Sequence, residues 1–217
     1  MYQLLIADDH PLFREAMIQV MEAHFVGARV QATVDLHSTL HLLAEEAEWD
    51  LLLLDLNMPD MGGLDGLVQL HQAHPTLPIV MISAEENREV ILQSLAKGAV
   101  GYIAKTSPRE QILQALEQLL QGQIYLPAHL MRAQESEPTP AATSPSFSAA
   151  ALASLTPRQQ RVLARLALGE SNKQIAWHLN VAETTIKGHV SAIMSKLGCS
   201  NRVQLALAMQ QHHELDS

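Results

Sequence analysis

Cysteine is almost absent from this chain, and long apolar runs and an excess of basic residues are missing altogether. A single Cys199 in 217 residues excludes a disulfide framework and any zinc site built on several cysteines. Nothing then calls for an oxidising compartment, and a cytoplasmic location is expected. No run approaches the ~18 apolar residues that a membrane helix needs, so no membrane association is expected. No basic residue precedes the short apolar run Tyr2 to Ala7, which meets Asp8-Asp9 at once, so the start does not read as a secretory signal. Lys and Arg number 14 against 23 Asp and Glu, for a net charge of −9, and 47% of the residues are hydrophobic. That composition suits one large or two small globular domains.

The charge is unevenly spread, and this decides between them. Residues 1–131 carry 6 Lys+Arg against 17 Asp+Glu, a balance of −11, whereas residues 151–217 carry 7 against 4, a balance of +3. Between an acidic and a mildly basic module lies Glu135-Ser-Glu-Pro-Thr-Pro-Ala-Ala-Thr-Ser-Pro-Ser-Phe-Ser148, with Phe147 as its one large apolar group. Such a stretch cannot bury enough surface to offset the entropy of ordering. A flexible tether of ~25 residues has an end-to-end distance of ~25–30 Å, which lets two domains touch or separate. The expected division is a domain over 1–126, a linker over 127–150 and a second domain over 151–217.

In the first module, apolar runs at Tyr2 to Ala7, Arg29 to Val34, Asp50 to Leu54, Pro78 to Ser83 and Val100 to Ala104 predict strands. Amphipathic stretches at Pro11 to His24, Leu36 to Glu46, Leu64 to His74, Asn87 to Lys97 and Pro108 to Gln121 predict helices between them. Strict alternation implies an α/β fold, a five-stranded parallel, doubly wound sheet with helices on both faces. Asp8-Asp9, Asp55, Ser83 and Lys105 then stand at the carboxyl ends of four strands, the edge at which open parallel sheets bind ligands.

Three carboxylates held together repel, and either one takes up a proton or a hard divalent cation neutralises them. Oxygen-only ligands suit Mg²⁺. With a free carboxylate, the Lys105 ammonium and the Ser83 hydroxyl alongside, the set is equipped for phosphoryl transfer. Any one such residue is commonly a solvated loop end; four at four strand ends are a much rarer coincidence.

These residues, with Leu5-Ile-Ala-Asp-Asp-His-Pro11, Asp55-Leu-Asn-Met-Pro-Asp-Met-Gly-Gly63, Ile82-Ser83-Ala84 and Gly98-Ala-Val-Gly-Tyr-Ile-Ala-Lys105, resemble a two-component response regulator receiver domain over residues 2 to about 126. The resemblance implies that Asp55 is the phosphoacceptor and that Asp8, Asp9, Asp55 and the Asn57 carbonyl hold Mg²⁺. It further implies that Ser83 and Lys105 meet the phosphoryl oxygens and that Ser83 and Tyr102 form the activation switch. Asn57 and Glu85 flank the path of attacking water in receivers, and a polar or acidic pair there implies a phospho-form lasting minutes. Two places depart from the family. Thr106 follows Lys105 where many receivers have proline and a cis bond, which leaves that bond's geometry open, and Gly62 stands where Asp or Asn is common.

The second module reads as all-α. Thr156-Pro-Arg-Gln159 and Ser171-Asn-Lys-Gln174 are helix caps, Gly169 and Gly198 are stops, and Leu179-Asn-Val181 makes a tight turn into a helix over Glu183 to Leu197. Ile186, Val190, Ile193 and Leu197 form its buried stripe, leaving Thr184, Lys187, Gly188, Ser191 and Ser195 outside. A short helix, a turn and a helix with a small polar face fit the major groove, although a bundle with a solvated face reads the same way. Leu155-Thr-Pro-Arg-Gln-Gln-Arg-Val-Leu163, Gly169-Glu-Ser-Asn-Lys-Gln-Ile-Ala176, Thr185-Ile-Lys-Gly-His-Val190 and Lys196-Leu-Gly198 are similar to the LuxR-type four-helix DNA-binding domain.

Together the halves resemble the NarL/FixJ subfamily of response regulators. That likeness implies Lys187 and Ser191 as base contacts, with Thr184, Thr185, Lys173, Asn172 and Lys196 on the DNA around them. It implies double-stranded DNA and a histidine kinase as partners, and a phosphorylation-dependent homodimer paired through Val203, Leu205, Ala206 and Met209. Ala182 replaces the usual Ser cap of the recognition helix, and Gly188 offers no side chain to a base. Trp177 and Cys199 earn no assignment.

Three other readings share parts of the pattern. A metal-dependent phosphatase uses an Asp nucleophile and Mg²⁺, yet it wants a second Asp where this chain has Asn57. A ligand-sensing regulator of the quorum type needs an apolar pocket rather than an acidic edge. A receiver-type regulator that works without phosphorylation is opposed by the complete Asp8, Asp9, Asp55, Ser83 and Lys105 set.

Overall fold

The computed structural model describes residues 2–45, 49–127, 149–199 and 205. The proline-rich stretch between the modules and the pairing positions Val203, Ala206 and Met209 lie outside them. The chain divides into two compact units, the first running to Leu119 with Tyr125–Pro127 and the second holding the helices from Ala149 onward.

In the first unit β1 (Gln3–Ala7), β2 (Arg29–Thr33), β3 (Leu51–Asp55), β4 (Ile79–Ser83) and β5 (Gly101–Ala104) alternate with α1 (Pro11–His24), α2 (Leu36–Glu45), α3 (Asp65–Ala73), α4 (Arg88–Ala96) and α5 (Arg109–Leu120). The strands form one parallel sheet in the order β2-β1-β3-β4-β5. Because the connections run first one way along the sheet and then the other, right-handed crossovers put helices on both faces. The centre shows why: every residue of β3 and β4 is buried, as a strand covered on both sides must be, whereas the edge strand β2 exposes Arg29 and only half buries Val30 to Ala32. The order reverses between β1 and β3, whose ends carry Asp8 and Asp55, so both carboxylates open into the crevice at the topological switch point. Asp55 is the last residue of β3 rather than the first beyond it, and the shift buries its side chain completely.

The loop after Asp55 is fixed from three sides. Met58 and Met61 are buried anchors, and a Cβ on Gly66 would lie 2.5 Å from the Met61 sulfur. Gly62 and Gly63 turn the chain at φ 57° and 70°, a region that side chains disfavour. The Asp60 carboxylate accepts from the backbone N–H groups of Leu36 (2.9 Å) and His37 (3.1 Å), capping α2 from a different loop. No cis peptide bond occurs among the described residues, so Lys105–Thr106 is trans.

The second unit comprises α6 (Ala149–Ala153), α7 (Pro157–Ala167), α8 (Asn172–Leu179) and α9 (Glu183–Leu197), with Leu205 helical beyond them. Thr156/Gln159 and Ser171/Gln174 form reciprocal capping boxes at the starts of α7 and α8. Asn180 at φ 51° ends α8, and α9 begins at Ala182 with no side-chain cap. Ile186, Val190, Ile193 and Leu197 lie buried against Val162, Leu166 and Ile175 in a core that also takes in Cys199 and Leu205.

Candidate functional site

Three strand ends of the sheet meet at one ammonium group. Lys105 follows β5, and its Nζ stands 2.8 Å from Asp55 Oδ2 and 2.8 Å from Asp8 Oδ2; both carboxylates are fully buried and the lysine is 13% exposed. The Phe13 ring, one turn into α1, lies 4.8 Å beneath the same ammonium. The backbone N–H of Asn57 donates to Asp55 Oδ1 at 3.2 Å and holds the carboxylate in place. The half-buried Asp9 sits beside them, and single ligand atoms of Asp8, Asp9, His10 and Asp55 all lie within 4.8 Å of one another.

The donor set fits a divalent cation on two counts. It supplies oxygens from three carboxylates, and their lone pairs lie within 4.8 Å of one another. A hard ion takes up such lone pairs.

Ser83, fully buried at the end of β4, does not point its hydroxyl at Asp55. Its Oγ accepts from Asn57 Nδ2 (3.2 Å) and from the Glu85 backbone N–H (3.1 Å). Tyr102 is turned inward and fully buried, and its hydroxyl donates to the Glu85 carbonyl at 2.6 Å. Burial raises the Tyr102 hydroxyl above its ordinary pKa, a hydrogen bond with Ser83 opposes this, and the neighbouring Glu85, Asp55 and Glu86 charges add to it. Thr106 donates to Glu86 Oε1 at 2.7 Å, joining the β5–α5 and β4–α4 loops.

Sequence reasoning brought Asp8, Asp9, Asp55, Asn57, Ser83 and Lys105 to one place and assigned nothing to His10, Phe13 or Thr106. The imidazole next to a carboxylate pair was a signal that could have been used. The ring of Phe13 and the hydroxyl of Thr106 carry no such mark, because their roles depend on which loop lies opposite.

In the second unit the outer face of α9 presents Thr184, Thr185 and Gly188 exposed, with Lys187 and Ser191 half-buried. Lys187 Nζ lies 3.3 Å from Glu183 one turn back, so the residue at the centre of the face is steadied by its own helix. Lys173 is exposed on α8, whereas Asn172 is buried at the start of that helix. Lys196 Nζ donates to the Ser154 carbonyl (2.8 Å) and to Gln159 Oε1 (2.9 Å), fastening the end of α9 to the start of α7. Trp177 on α8 is 79% exposed, its ring edge-on to His178 at 4.9 Å. No helix among the described residues is long and apolar enough to cross a membrane.

Comparison with known proteins agrees with both units. Residues 4–117 match the response regulator receiver domain, and residues 153–209 match the bacterial regulatory proteins of the luxR family. A glycerol metabolism activator of Pseudomonas putida is 50% identical over 209 residues, which cover 96% of this chain and 95% of that protein. The nitrate/nitrite response regulator protein NarL of Escherichia coli strain K12 is 33% identical over 214 residues, covering 96% and 94%. A crystal structure of a LuxR family DNA-binding response regulator from Silicibacter pomeroyi is similar at a TM-score of 0.54 and 32% identity, over 59% of this chain and 99% of that one.

Proposed function

The chain belongs to the two-component response regulators that join a receiver domain to a LuxR-type DNA-binding domain and act as transcription regulators, not enzymes in the usual sense, and we propose that Asp55 is the phosphoacceptor through which it is switched. One observation carries this reading: a fully buried carboxylate at the topological switch point, 2.8 Å from a lysine ammonium that it shares with Asp8. A cognate histidine kinase, or a small phosphodonor, is the source of the phosphoryl group. An Asp55 oxygen attacks phosphorus, the new P–O bond forms as the P–N bond to the donor imidazole breaks, and the imidazole leaves with the electron pair. Lys105 then follows the negative charge from the carboxylate to the phosphoryl oxygens. Asp8, Asp9, Asp55 and the Asn57 carbonyl would hold a Mg²⁺ ion, which when bound would neutralise charge gathered on those oxygens.

The Ser83 hydroxyl is the natural partner for one phosphoryl oxygen, and it reaches it by leaving the Asn57 amide and the Glu85 N–H. Tyr102 holds the carbonyl of the same Glu85, so the β4–α4 loop feels the event through both ends of one residue. Asn57 and Glu85 also border the approach of water, which sets the lifetime of the aspartyl phosphate. Phosphorylation promotes a homodimer through Val203, Leu205, Ala206 and Met209, matching paired half-sites about one helical turn apart.

On DNA, Lys187 and Ser191 read bases while Thr184, Thr185 and Lys173 meet the strand around them. Asn172 and Lys196 act there by holding α8 and α9 in register. The working limits of the domains are 1–126 and 151–217, with 127–150 as linker, and the site of action is the cytoplasm. Similarity over nearly the whole length to a glycerol metabolism activator favours activation over repression.

The test incubates the full chain and Asp55→Asn with acetyl phosphate and Mg²⁺, then follows intact mass, oligomeric state and capture of genomic DNA. One added phosphoryl mass on the unaltered chain alone, with a gain in dimer and DNA capture, is expected. No phosphorylation, or DNA capture indifferent to it, would move the weight to a regulator that works without phosphate.

A further inference from the structure

An ammonium directs three N–H groups, and carboxylates account for two of those on Lys105. Its Nζ stands 2.8 Å from Asp55 Oδ2 and 2.8 Å from Asp8 Oδ2, and only 13% of the side chain is open to solvent. The next neighbour is carbon: the face of the Phe13 ring, with its centroid 4.8 Å from the nitrogen. That distance lies inside the ~6 Å over which an aromatic quadrupole attracts a cation, and the attraction grows where water is kept away.

The start of α1 holds the ring in place. Pro11 opens the helix, the Arg14 N–H donates to the His10 carbonyl at 3.0 Å, and Arg14 Nη1 reaches back to the Asp8 carbonyl at 2.7 Å. The turn that carries Phe13 is therefore tied to the end of β1, the end that also presents Asp8. Met17 and Met21, one and two turns further on, are buried, whereas the preceding Leu12 is 84% exposed. Residues four apart share a helix face, so the half-buried Phe13 extends the core stripe of α1 by one turn, out to the rim where the charge sits.

We propose that Phe13 is a positioning residue for phosphoryl transfer, holding the Lys105 ammonium at the site while the charge on Asp55 changes. This rests on the reading of Asp55 as the phosphoacceptor and adds the group that keeps its lysine in place. With acetyl phosphate as donor, the bond from an Asp55 oxygen to phosphorus forms as the phosphorus–oxygen bond to acetate breaks, and acetate leaves with the electron pair. Negative charge then passes from Asp55 to the phosphoryl oxygens, and the Asp55 hold on Nζ weakens. Asp8 keeps its charge throughout, so an ammonium held by carboxylates alone would be drawn toward Asp8 and water. The ring is a separate hold from another element, uncharged and unaltered by the reaction. It keeps the ammonium within reach of the phosphoryl oxygens without competing with them for a hydrogen bond.

The test places 4-fluoro-, 3,5-difluoro- and 3,4,5-trifluorophenylalanine at position 13 of the full chain, with Phe13→Leu beside them. Each fluorine drains the electron-rich face of the ring with little change in its size. Phosphoryl loading from acetyl phosphate and Mg²⁺ is followed by intact mass, and the urea midpoint of the receiver by Trp49 emission with Trp177→Phe. The expected result is a loading rate that falls in step with the fluorines, by about three- to thirtyfold between the unaltered and the trifluoro ring, with Phe13→Leu no faster than the latter. The urea midpoint should follow the fluorines in the parent and be indifferent to them in Lys105→Met, where no cation faces the ring. Loading rates alike across the fluorinated rings, or midpoints that shift equally with and without Lys105, would show a ring that only fills space; either overturns the proposal and leaves Asp55 as the phosphoacceptor. If the parent takes up no phosphoryl group, or Asp55→Asn takes up as much, the reading of Asp55 falls and this proposal with it.

Discussion

Replacing Lys105 by Met keeps the length and the contact with Phe13 but removes the positive charge between two buried carboxylates. At 2.8 Å each pair is worth about 6 kcal/mol at an effective dielectric of about 20. Recovering the hydration of the ammonium offsets several kcal/mol of that, and breaking comparable buried pairs costs about 3–5 kcal/mol. Asp8 and Asp55 would in addition face each other with no cation near. A loss of about 3 kcal/mol in the unfolding free energy of the receiver is expected, roughly a 10–15 °C fall in its midpoint.

The chain offers a clean probe, because of its two tryptophans Trp49 is buried in the first unit and Trp177 is exposed in the second. In a Trp177→Phe background, urea titration followed by Trp49 emission reports the receiver alone. Mg²⁺ at ~100 times its dissociation constant adds about 2.7 kcal/mol to a protein that binds one ion. With no competing ammonium, Lys105→Met should bind Mg²⁺ more tightly, so at equal Mg²⁺ the gain should be larger in the variant. If Lys105→Met unfolds within about 0.5 kcal/mol of its parent, or Mg²⁺ stabilises both alike, the ammonium is not the keystone of the site.

Four further outcomes follow from the same geometry. Lys187→Ala is expected to weaken operator binding by ~1–3 kcal/mol in gel-shift titrations if the ammonium meets a base; an equal loss on random DNA would make it a phosphate contact. Ala182→Ser should cap α9 and raise the urea midpoint of the second unit by ~1 kcal/mol equivalent, and no change would show that the turn does not admit the cap. Asn57→Ala and Glu85→Ala should alter the rate of aspartyl-phosphate loss, followed by intact mass after donor removal; an unchanged rate refutes their place on the water path. Burial pushes the Cys199 thiol up to about 11 from 9.0. The unfolded chain therefore releases this proton first, and the second unit should lose stability as pH rises from about 9 to about 11; a flat profile there in the unaltered chain, matching Cys199→Ala, would contradict it.

What could be read from the sequence is what depends on neighbours along the chain. Leu51 to Leu54 announce a doubly covered strand, and Ser171 with Gln174 announces a cap, because period and spacing carry the physics in each case. Even the candidate site was legible that far: strict alternation places strand ends on one edge, so Asp8, Asp55, Ser83 and Lys105 could be gathered without coordinates. Side-chain direction is another matter. Nothing in the sequence says that Asp60 reaches Leu36 and His37, that Lys196 is held by Ser154 and Gln159, or that Ser83 faces Asn57 rather than Asp55. Each depends on which loop comes to rest opposite which, a choice made by packing and not by pattern.

The same distinction separates two kinds of polar residue in the recognition unit. Lys187 and Lys196 differ little as sequence, both being lysines of one helix that lie outside its buried stripe. One leans on Glu183 along its own helix and stays at the outer face, while the other spends its donors on the Ser154 carbonyl ahead of α7 and the Gln159 amide within it. A lysine already satisfied by the fold gains little from a phosphate, since binding DNA would first break two bonds of about 1 kcal/mol or more each. On the proposed reading, Lys196 would therefore affect DNA affinity through the angle of α9, and Lys187 by contact.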